Sequence, residues 1–542
     1  MTAGEIDPSW GIVLHEPDEV DRTHIPMRDG TKMYLEVFRP DGGGPFPTIL
    51  IRNPYHNVSI PPSTRGKDTH KEFVTRGYAV VEAEVRGTGI SEGKFSFLVN
   101  DGQDGYDTVL WILDQPWCNG SIGTMGSSYL GMDQLVLAAQ DPPGLKAMFV
   151  GYAGADIYQE AFYTGGIMNM LMVRWSITHL AHRVAPNVPR LGRMPEERDK
   201  RIHQMQEMIH GQRIRTAVER IVAGRGLFDN DFLDEWVENE TDGPFWRDQS
   251  PKTGFPKIKT PIYCYGGWFD FFIRGTISSF MGIDAPKKLI IGPWFHGGRE
   301  GFDLIRTQLR WFDYWLKGWD NGIMDEPPVR VYVVGRDRWI FQPGWPPETT
   351  EAKYFLGSGA NQVPHQEDDG VLRGKPPEAE SPDAIAHDPE NPVPTVSQRK
   401  GDIRRAEKSM LSYTTERLEA ELEVAGSPML HLFGSTDHED VDWVAKLTEV
   451  GPEGESIMFT MGRLRGSHYR SHSEPEDLEP GRVYHFELEL MPIWKVFPSG
   501  SQVRIDIANS DFPDTYPNPV QSSNLVYHDS EYPSHLVLPV KV

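Results

Sequence analysis

Residues 123–134 read GTMGSSYLGMDQ, two adjacent serines set among glycines between an apolar run and a helix-like one. A nucleophilic serine on a sharp strand-to-helix turn needs small neighbours, because the strained backbone presses flanking residues against each other and against the sheet. Ser128 meets that need better than Ser127. Gly126 lies two residues before Ser128 and Gly131 three after it, whereas Ser127 has Met125 and Tyr129 at two before and two after. The pattern is G-x-S-x-x-G, with Leu130 where the more familiar G-x-S-x-G has its second glycine. Ile122 to Met125 supplies the strand, Tyr129 to Gln140 the helix, and Asp141-Pro142-Pro143 the stop.

Outward from this turn, the chain alternates strand and helix. TKMYLEVFRP, from Thr31, alternates polar and apolar residues after the turn Arg28-Asp29-Gly30, which predicts a hairpin at an antiparallel edge. PFPTILIRNPY, GYAVVEAEVRG, LKAMFVGYAG, TPIYCYGGWFD and KKLIIGPWFH are further short apolar runs ending in Gly, Pro or polar residues. Helical patterns such as Asp104 to Asp114 lie between them. The fold class is therefore α/β, a mostly parallel sheet covered on both faces, whose ligands sit at the carboxyl ends of the strands.

The alternation breaks between residues 155 and 250, where RDKRIHQMQEMIHGQRIRTAVERIVAG reads as helix and suggests an inserted cap. From about Glu351 a polar, Pro-rich connector, HQEDDGVLRGKPPEAESPDAIAHDPENPVPT, leads into strand candidates PMLHLFGST, ESIMFTMG, RVYHFELELM and QVRIDIANS. Strands spaced by turns without helices predict a β-sandwich or jelly roll. The expected layout is an α/β domain in two parts, 1–154 and 251–350, a helical cap at 155–250, and a C-terminal β domain at 351–542.

Composition supports a globular protein of two or three domains: 542 residues, 38% hydrophobic, 24% charged, 15 tryptophans. A net charge of −24 without clusters of Lys and Arg argues against nucleic acid and anionic membranes as partners. The acidic N-terminus, MTAGEIDPSWGIVLHEPDEV, lacks the layout of a secretory signal and predicts a cytoplasmic protein, although a mature secreted chain would read the same. Cys118 and Cys264 are far apart in apolar surroundings and read as buried free thiols.

A serine hydroxyl becomes a nucleophile only when a histidine takes its proton and an acid orients that histidine. Asp270 follows the strand-like IYCYGGW and His296 follows LIIGPW, so the sheet would deliver both to the edge that carries Ser128. Their order, Ser then Asp then His, is that of the α/β-hydrolases. The developing oxyanion needs donors: the backbone N–H of Tyr129, after the nucleophile, is one, and the hydroxyl of Tyr55, at the end of the strand TILIRN, is a candidate for the other. No HExxH, CxxC or phosphate-cradling loop occurs, and this chemistry calls for no cofactor. The acidic run Asp437 to Asp442 lacks the glycine and distal glutamate of an EF-hand and reads as a hydrogen-bonding loop without metal.

Together, RNPY, VRGTGISEG, QPWCNGSIGTMGSSYLG, GGWFDFF, GPWFH, FDYWLKG, GSPMLHLFGSTDHEDVDW and MGRLRGSHYR resemble, in order and over nearly the whole chain, the cocaine esterase and X-prolyl dipeptidyl-peptidase family of serine hydrolases. In that family the second elbow glycine is replaced and a Tyr follows the serine, as in Ser128-Tyr129. The resemblance implies Ser128 as nucleophile, Asp270 as orienting acid, His296 as base, and Tyr55 with the N–H of Tyr129 as oxyanion donors. It implies an α/β-hydrolase domain with an inserted helical cap and a C-terminal jelly roll. Glu84 departs from the family's usual Asp before RGxGxSxG, in a loop expected to be structural.

Substrate class is left between ester hydrolase, acylase and X-prolyl dipeptidyl-peptidase, with small-molecule esters, and amides after them, favoured. X-prolyl peptidases of the family are longer, with an N-terminal region that helps recognise a free amine, whereas this sequence starts near its first hydrolase strand. α-Amino acid ester hydrolases carry acidic residues beside the catalytic Asp to hold an ammonium group. Here Phe271 and Phe272 follow Asp270, favouring an apolar acyl group, and Phe162, Tyr163 and Trp175 of the cap are candidate pocket walls, beside Met168, Met170 and Met172. The rival from another class is a jelly-roll binding protein on an inactive hydrolase fold. A homo-oligomer stays open.

Overall fold

The computed structural model describes residues 20–55, 67–176, 232–359, 370–399 and 401–542. The helix read at RDKRIHQMQEMIHGQRIRTAVERIVAG lies outside these residues.

β1 (Asp21–Pro26) and β2 (Lys32–Phe38) form the antiparallel hairpin expected around Asp29-Gly30. They edge a ten-stranded sheet that continues through β3 (Phe46–Asn53), β4 (Ala79–Glu84), β5 (Cys118–Ser127) and β6 (Leu145–Gly151). After the short hairpin β7 (Tyr163–Thr164) and β8 (Ile167–Met168), the sheet resumes with β9 (Ile262–Phe269), β10 (Lys287–Phe295), β11 (Val329–Val333) and β12 (Arg338–Gln342). Its order is β1-β2-β4-β3-β5-β6-β9-β10-β11-β12, parallel from β4 to β11 and antiparallel at both edges.

Central strands bury both faces, which is why they read as continuous apolar runs: every residue of β4 and of β9 is buried. Alternate residues pack into two separate cores. Leu50, Val81, Met148, Cys264 and Leu289 face one core, with Val109 of α2 (Asp101–Leu113, after α1 at Lys67–Val74), Leu135 of α3 (Tyr129–Ala138), and Ile277 and Phe280 of the helix Ile273–Gly282. Ile49, Val80, Phe149, Tyr263 and Ile290 face the other, with Phe73 of α1 and Leu309, Phe312 and Leu316 of the helix Leu304–Lys317.

The glycines around Ser128 permit this packing. A Cβ at Gly131 would lie 2.6 Å from the carbonyl oxygen of Gly151, so α3 rests on β6 at a distance only glycine allows. A Cβ at Gly126 would lie 2.4 Å from Cβ of Leu130. Glu84, the departure noted above, is buried and its Oε2 accepts from the N–H groups of Ile90 (2.7 Å) and Ser91 (3.0 Å), closing the loop GTGISEG.

Between the two runs of α/β elements lie a π-turn at Tyr158–Phe162, α4 (Met170–Trp175) and helices Phe232–Glu238 and Pro244–Gln249. A second sheet of thirteen strands follows: β13 (Thr349–Gly357), β14 (Gly370–Arg373), β15 (Asp383–His387), β16 (Leu411–Thr414), β17 (Leu422–Gly426), β18 (Met429–Thr436), β19 (Asp442–Val450), β20 (Ser456–Arg465), β21 (Tyr484–Glu489), β22 (Ile493–Phe497), β23 (Gln502–Ala508), β24 (Ser522–Tyr527) and β25 (His535–Lys541). The Pro-rich connector thus departs from its reading as a linker. β14 and β15 lie within it, pairing with β13, β16 and β24.

The two sheets share structure. Val334, just after β11, donates to the Trp494 carbonyl (3.0 Å) and accepts from the N–H of Val496 (2.8 Å). Ala425, Ile493, Trp494 and Val496 belong to the first sheet's core. Cys264 is buried and Cys118 only half-buried, and both are free thiols. The run Asp437 to Asp442 engages its own neighbours: Asp442 pairs with Arg465, Asp440 accepts from Ser467, and Asp437 accepts from the N–H of Ser523. Among the described residues no helix is long and apolar enough to cross a membrane.

Gly131→Ala is expected to destabilise the protein by about 2 kcal/mol or more, because the clash is with rigid backbone. Denaturant midpoints of the two proteins measure this; equal midpoints would contradict the packing described.

Candidate active site

Ser128 sits between β5 and α3 with φ +62° and ψ −125°, a conformation that costs a non-glycine residue about 1–3 kcal/mol and persists only where the surroundings impose it. Its N–H donates to the Gly151 carbonyl (2.9 Å), and its carbonyl accepts from Gly131 (2.8 Å) and Met132 (3.0 Å). These bonds seat the turn on β6 and start α3, leaving a half-buried side chain at the carboxyl edge of the sheet. Ser127, by contrast, exchanges a 2.7 Å hydrogen bond with the hydroxyl of buried Tyr265, and is occupied as a packing residue of β5 and β9.

Asp270 directly follows β9, and His296 directly follows β10. β5, β6, β9 and β10 are consecutive parallel neighbours, so Ser128, Asp270 and His296 emerge at the same edge. His296 Nδ1 lies 2.6 Å from Asp270 Oδ1, and the Asp270 carboxylate is fully buried while the imidazole is 32% exposed. With the ionised acid as acceptor, Nδ1 carries the proton, and the lone pair is left on Nε2. Three aromatic rings fix the imidazole: Phe271 stacks on it at 4.4 Å, Tyr152 meets it edge-on at 5.5 Å and Phe272 at 5.8 Å. Among the described hydrogen bonds none joins Ser128 Oγ to His296, in keeping with catalytic contacts that tighten only when substrate binds.

Tyr129, the first residue of α3, has a backbone N–H without an intrahelical acceptor, as every first-turn N–H does. Its side chain is wholly buried and its hydroxyl donates to Asp101 Oδ2 (3.1 Å). Asp101, at the start of α2, also receives Arg52, which donates to its carbonyl (2.6 Å) and pairs with its carboxylate at 3.5 Å. Arg52 lies in β3, three residues before Tyr55. A buried link therefore joins the strand leading to Tyr55 to the helix led by Tyr129, a network not read from the sequence. The signal available was Arg52 itself, a charge inside the apolar run TILIRN. Burial raises the Asp101 carboxyl to about 6, with Arg52 and the Tyr129 hydrogen bond opposing that rise.

Tyr55 is half-buried, its N–H donating to Asn53 Oδ1 (2.9 Å) and its ring edge-on to Trp175 at 6.2 Å. Trp175 in turn meets Phe97 at 6.1 Å. The other expected pocket walls differ among themselves. Phe162 and Tyr163 are each only 3% exposed, Phe162 against Trp236 and Trp246 and Tyr163 stacked on Tyr158. Phe272 is 1% exposed. These three are packed as core, so they are not the open pocket walls expected. Phe271 and Trp175 are half-buried.

Against known proteins, residues 29–298 match the X-Pro dipeptidyl-peptidase (S15 family) pattern and residues 321–537 the X-Pro dipeptidyl-peptidase C-terminal non-catalytic domain. Cocaine esterase of Rhodococcus sp. (strain MB1 Bresler) is 29% identical, over 95% of this chain and 97% of that protein. An α-amino acid ester hydrolase structure superposes with a TM-score of 0.80 at 23% identity, covering 99% of this chain and 98% of the other. An aminopeptidase from a marine sediment Thaumarchaeota archaeon does so at 0.79 and 22%, with the same coverage. At these identities the two structures speak for the fold alone.

Tyr129→Phe is expected to lower kcat about tenfold with little change in KM, because it loosens the helix start without touching bound substrate, and to cost about 1 kcal/mol of stability. Steady-state kinetics and denaturation on the same preparation check this; an unchanged kcat would uncouple the Asp101 link from the site. The chain belongs to the cocaine esterase and X-prolyl dipeptidyl-peptidase family of α/β-hydrolase serine hydrolases.

Proposed function

We propose that the protein hydrolyses carboxylic esters through an acyl-enzyme on Ser128, with His296 as general base, Asp270 as its orienting acid, and the Tyr55 hydroxyl and Tyr129 N–H as oxyanion donors. The observation that carries the reading is the 2.6 Å contact of His296 Nδ1 with Asp270 Oδ1, at the edge that also bears the left-handed Ser128.

His296 Nε2 takes the Ser128 proton as Oγ bonds to the ester carbonyl carbon, and the carbonyl electron pair moves to oxygen, where the two donors meet it. When that pair returns, the bond to the leaving alkoxide breaks and His296 hands the proton to it. Water then repeats the sequence: His296 takes its proton, the hydroxide oxygen adds to the acyl carbon, and Ser128 Oγ leaves with the proton restored. No step calls for a cofactor.

Phe271 beside the imidazole, with Trp175 next to Tyr55, supports an acyl group of apolar or aromatic character. Phe271 and Phe272 follow Asp270 in sequence, with no carboxylate to hold an ammonium group, which favours esters over peptides with a free amine. The proposed layout keeps hydrolase segments at 1–154 and 251–350, a cap at 155–250 and a jelly roll at 351–542. The free thiols Cys118 and Cys264 fit a cytoplasmic setting.

A panel of esters and amides graded in acyl size, with an X-Pro anilide among them, tests the reading in wild type and Tyr55→Phe. Aryl esters are expected to turn over fastest and the anilide slowest, and Tyr55→Phe to lose about 10²–10³ in kcat with acyl preference retained. An anilide that outruns every ester would make the protein a peptidase, and an unaltered Tyr55→Phe rate would remove Tyr55 from the oxyanion site.

A further inference from the structure

The strongest unassigned chemistry lies in the second sheet. β18 and β21 are antiparallel neighbours that bury every second residue, and the pairing sets His431 opposite Glu487 and Phe433 opposite His485. On β21 the two-residue period puts His485 and Glu487 on the same outward face. On the other side of β18, His535 of β25 pairs with His431. One patch of sheet surface thus carries three imidazoles and a carboxylate.

Their donor atoms converge. His431 Nδ1 lies 3.2 Å from His485 Nε2 and 3.4 Å from Glu487 Oε1, and the three donors lie within 4.8 Å of one another. Ligands about 2.0–2.1 Å from a tetrahedral zinc ion stand about 3.3 Å apart, so both measured separations have the length of an edge of that tetrahedron. A proton on His431 Nδ1 can be aimed at one of these acceptors at a time, whereas a cation is served by all three. The rings are also pinned: His485 stacks on Phe433 at 4.7 Å, and His535 stacks on His431 at 4.6 Å with its own Nδ1 donating to the Pro533 carbonyl at 2.8 Å. His535 is accordingly a packing partner of the first ligand.

We propose that His431, His485 and Glu487 form a binding site for a divalent transition-metal ion of borderline softness, with Zn²⁺ as the best match to two imidazoles and one carboxylate. Glu487 also lines a cavity of about 650 Å³ between the two sheets, whose walls include Met429, Glu489 and Arg274. An ion there clips β18 to β21 beside the cavity, where Arg274 of the hydrolase part donates to the Glu489 carbonyl (2.5 Å) two residues beyond Glu487. All three ligands belong to the second sheet, so its role is to brace that pair of strands, separate from the chemistry at Ser128.

Calorimetric titration of ZnCl₂ into the metal-free full chain, with Co²⁺ absorption as a second readout, tests the site. One ion per chain is expected, with Kd weakened about tenfold or more in His431→Ala and in Glu487→Gln. Co²⁺ should give the intense visible bands of tetrahedral geometry in the wild type alone, and ester turnover of both variants should match wild type, showing them folded. Absence of binding, or equal affinity in wild type and both variants, overturns the assignment and leaves the cluster a hydrogen-bonded histidine pair.

Discussion

Everything at the candidate site depends on a backbone constraint: Ser128 is held at φ +62° between a strand and a helix. The strain is offset by bonds to β6 and by the first turn of α3, and these exist only because Gly131 lets the helix approach Gly151. The same constraint sets the two serines apart. The chain reverses sharply after Ser127, which stays in the strand and bonds to Tyr265, while Ser128 is lifted to the sheet edge.

Around that turn, positioning is delegated to buried groups outside the reacting set. Arg52, Asp101 and the Tyr129 hydroxyl connect the end of β3 to the head of α3, so the two candidate oxyanion donors are held by one network. Asp101 is anchored by a cation and a phenol in a dry interior, where breaking one partner costs more than the pair contributes. Aromatic stacking does the equivalent work for the proposed base, with Phe271 laid on the His296 ring. Phe271 thus fixes the plane of the imidazole, beside the residue proposed to act as the acid.

Much of this was legible in the chain. The α/β order followed from apolar runs that end in glycine, since strands buried on both faces carry no polar alternation, and Asp270 and His296 could be placed because each directly follows such a run. Glu84 was read as a loop residue, and its carboxylate closes that loop onto two backbone N–H groups. The rest needed tertiary contacts. β14 and β15 are four and five residues long in a Pro-rich stretch, and β15 finds its partner β24 more than a hundred residues on, so no local pattern announces them. Phe162 was a candidate pocket wall for which core packing was the commoner alternative, and its burial against Trp236 and Trp246 puts it in the core. The histidines of the second sheet come from three strands, and their convergence is a property of register.

The most direct measurement of the central claim is labelling of the folded protein with a fluorophosphonate, followed by peptide mapping, in the wild type and in His296→Ala. The account predicts stoichiometric modification of Ser128 in the wild type and a loss of about 10³-fold or more in labelling rate without the base. Label on Ser127, or no label in protein that is demonstrably folded, would contradict it.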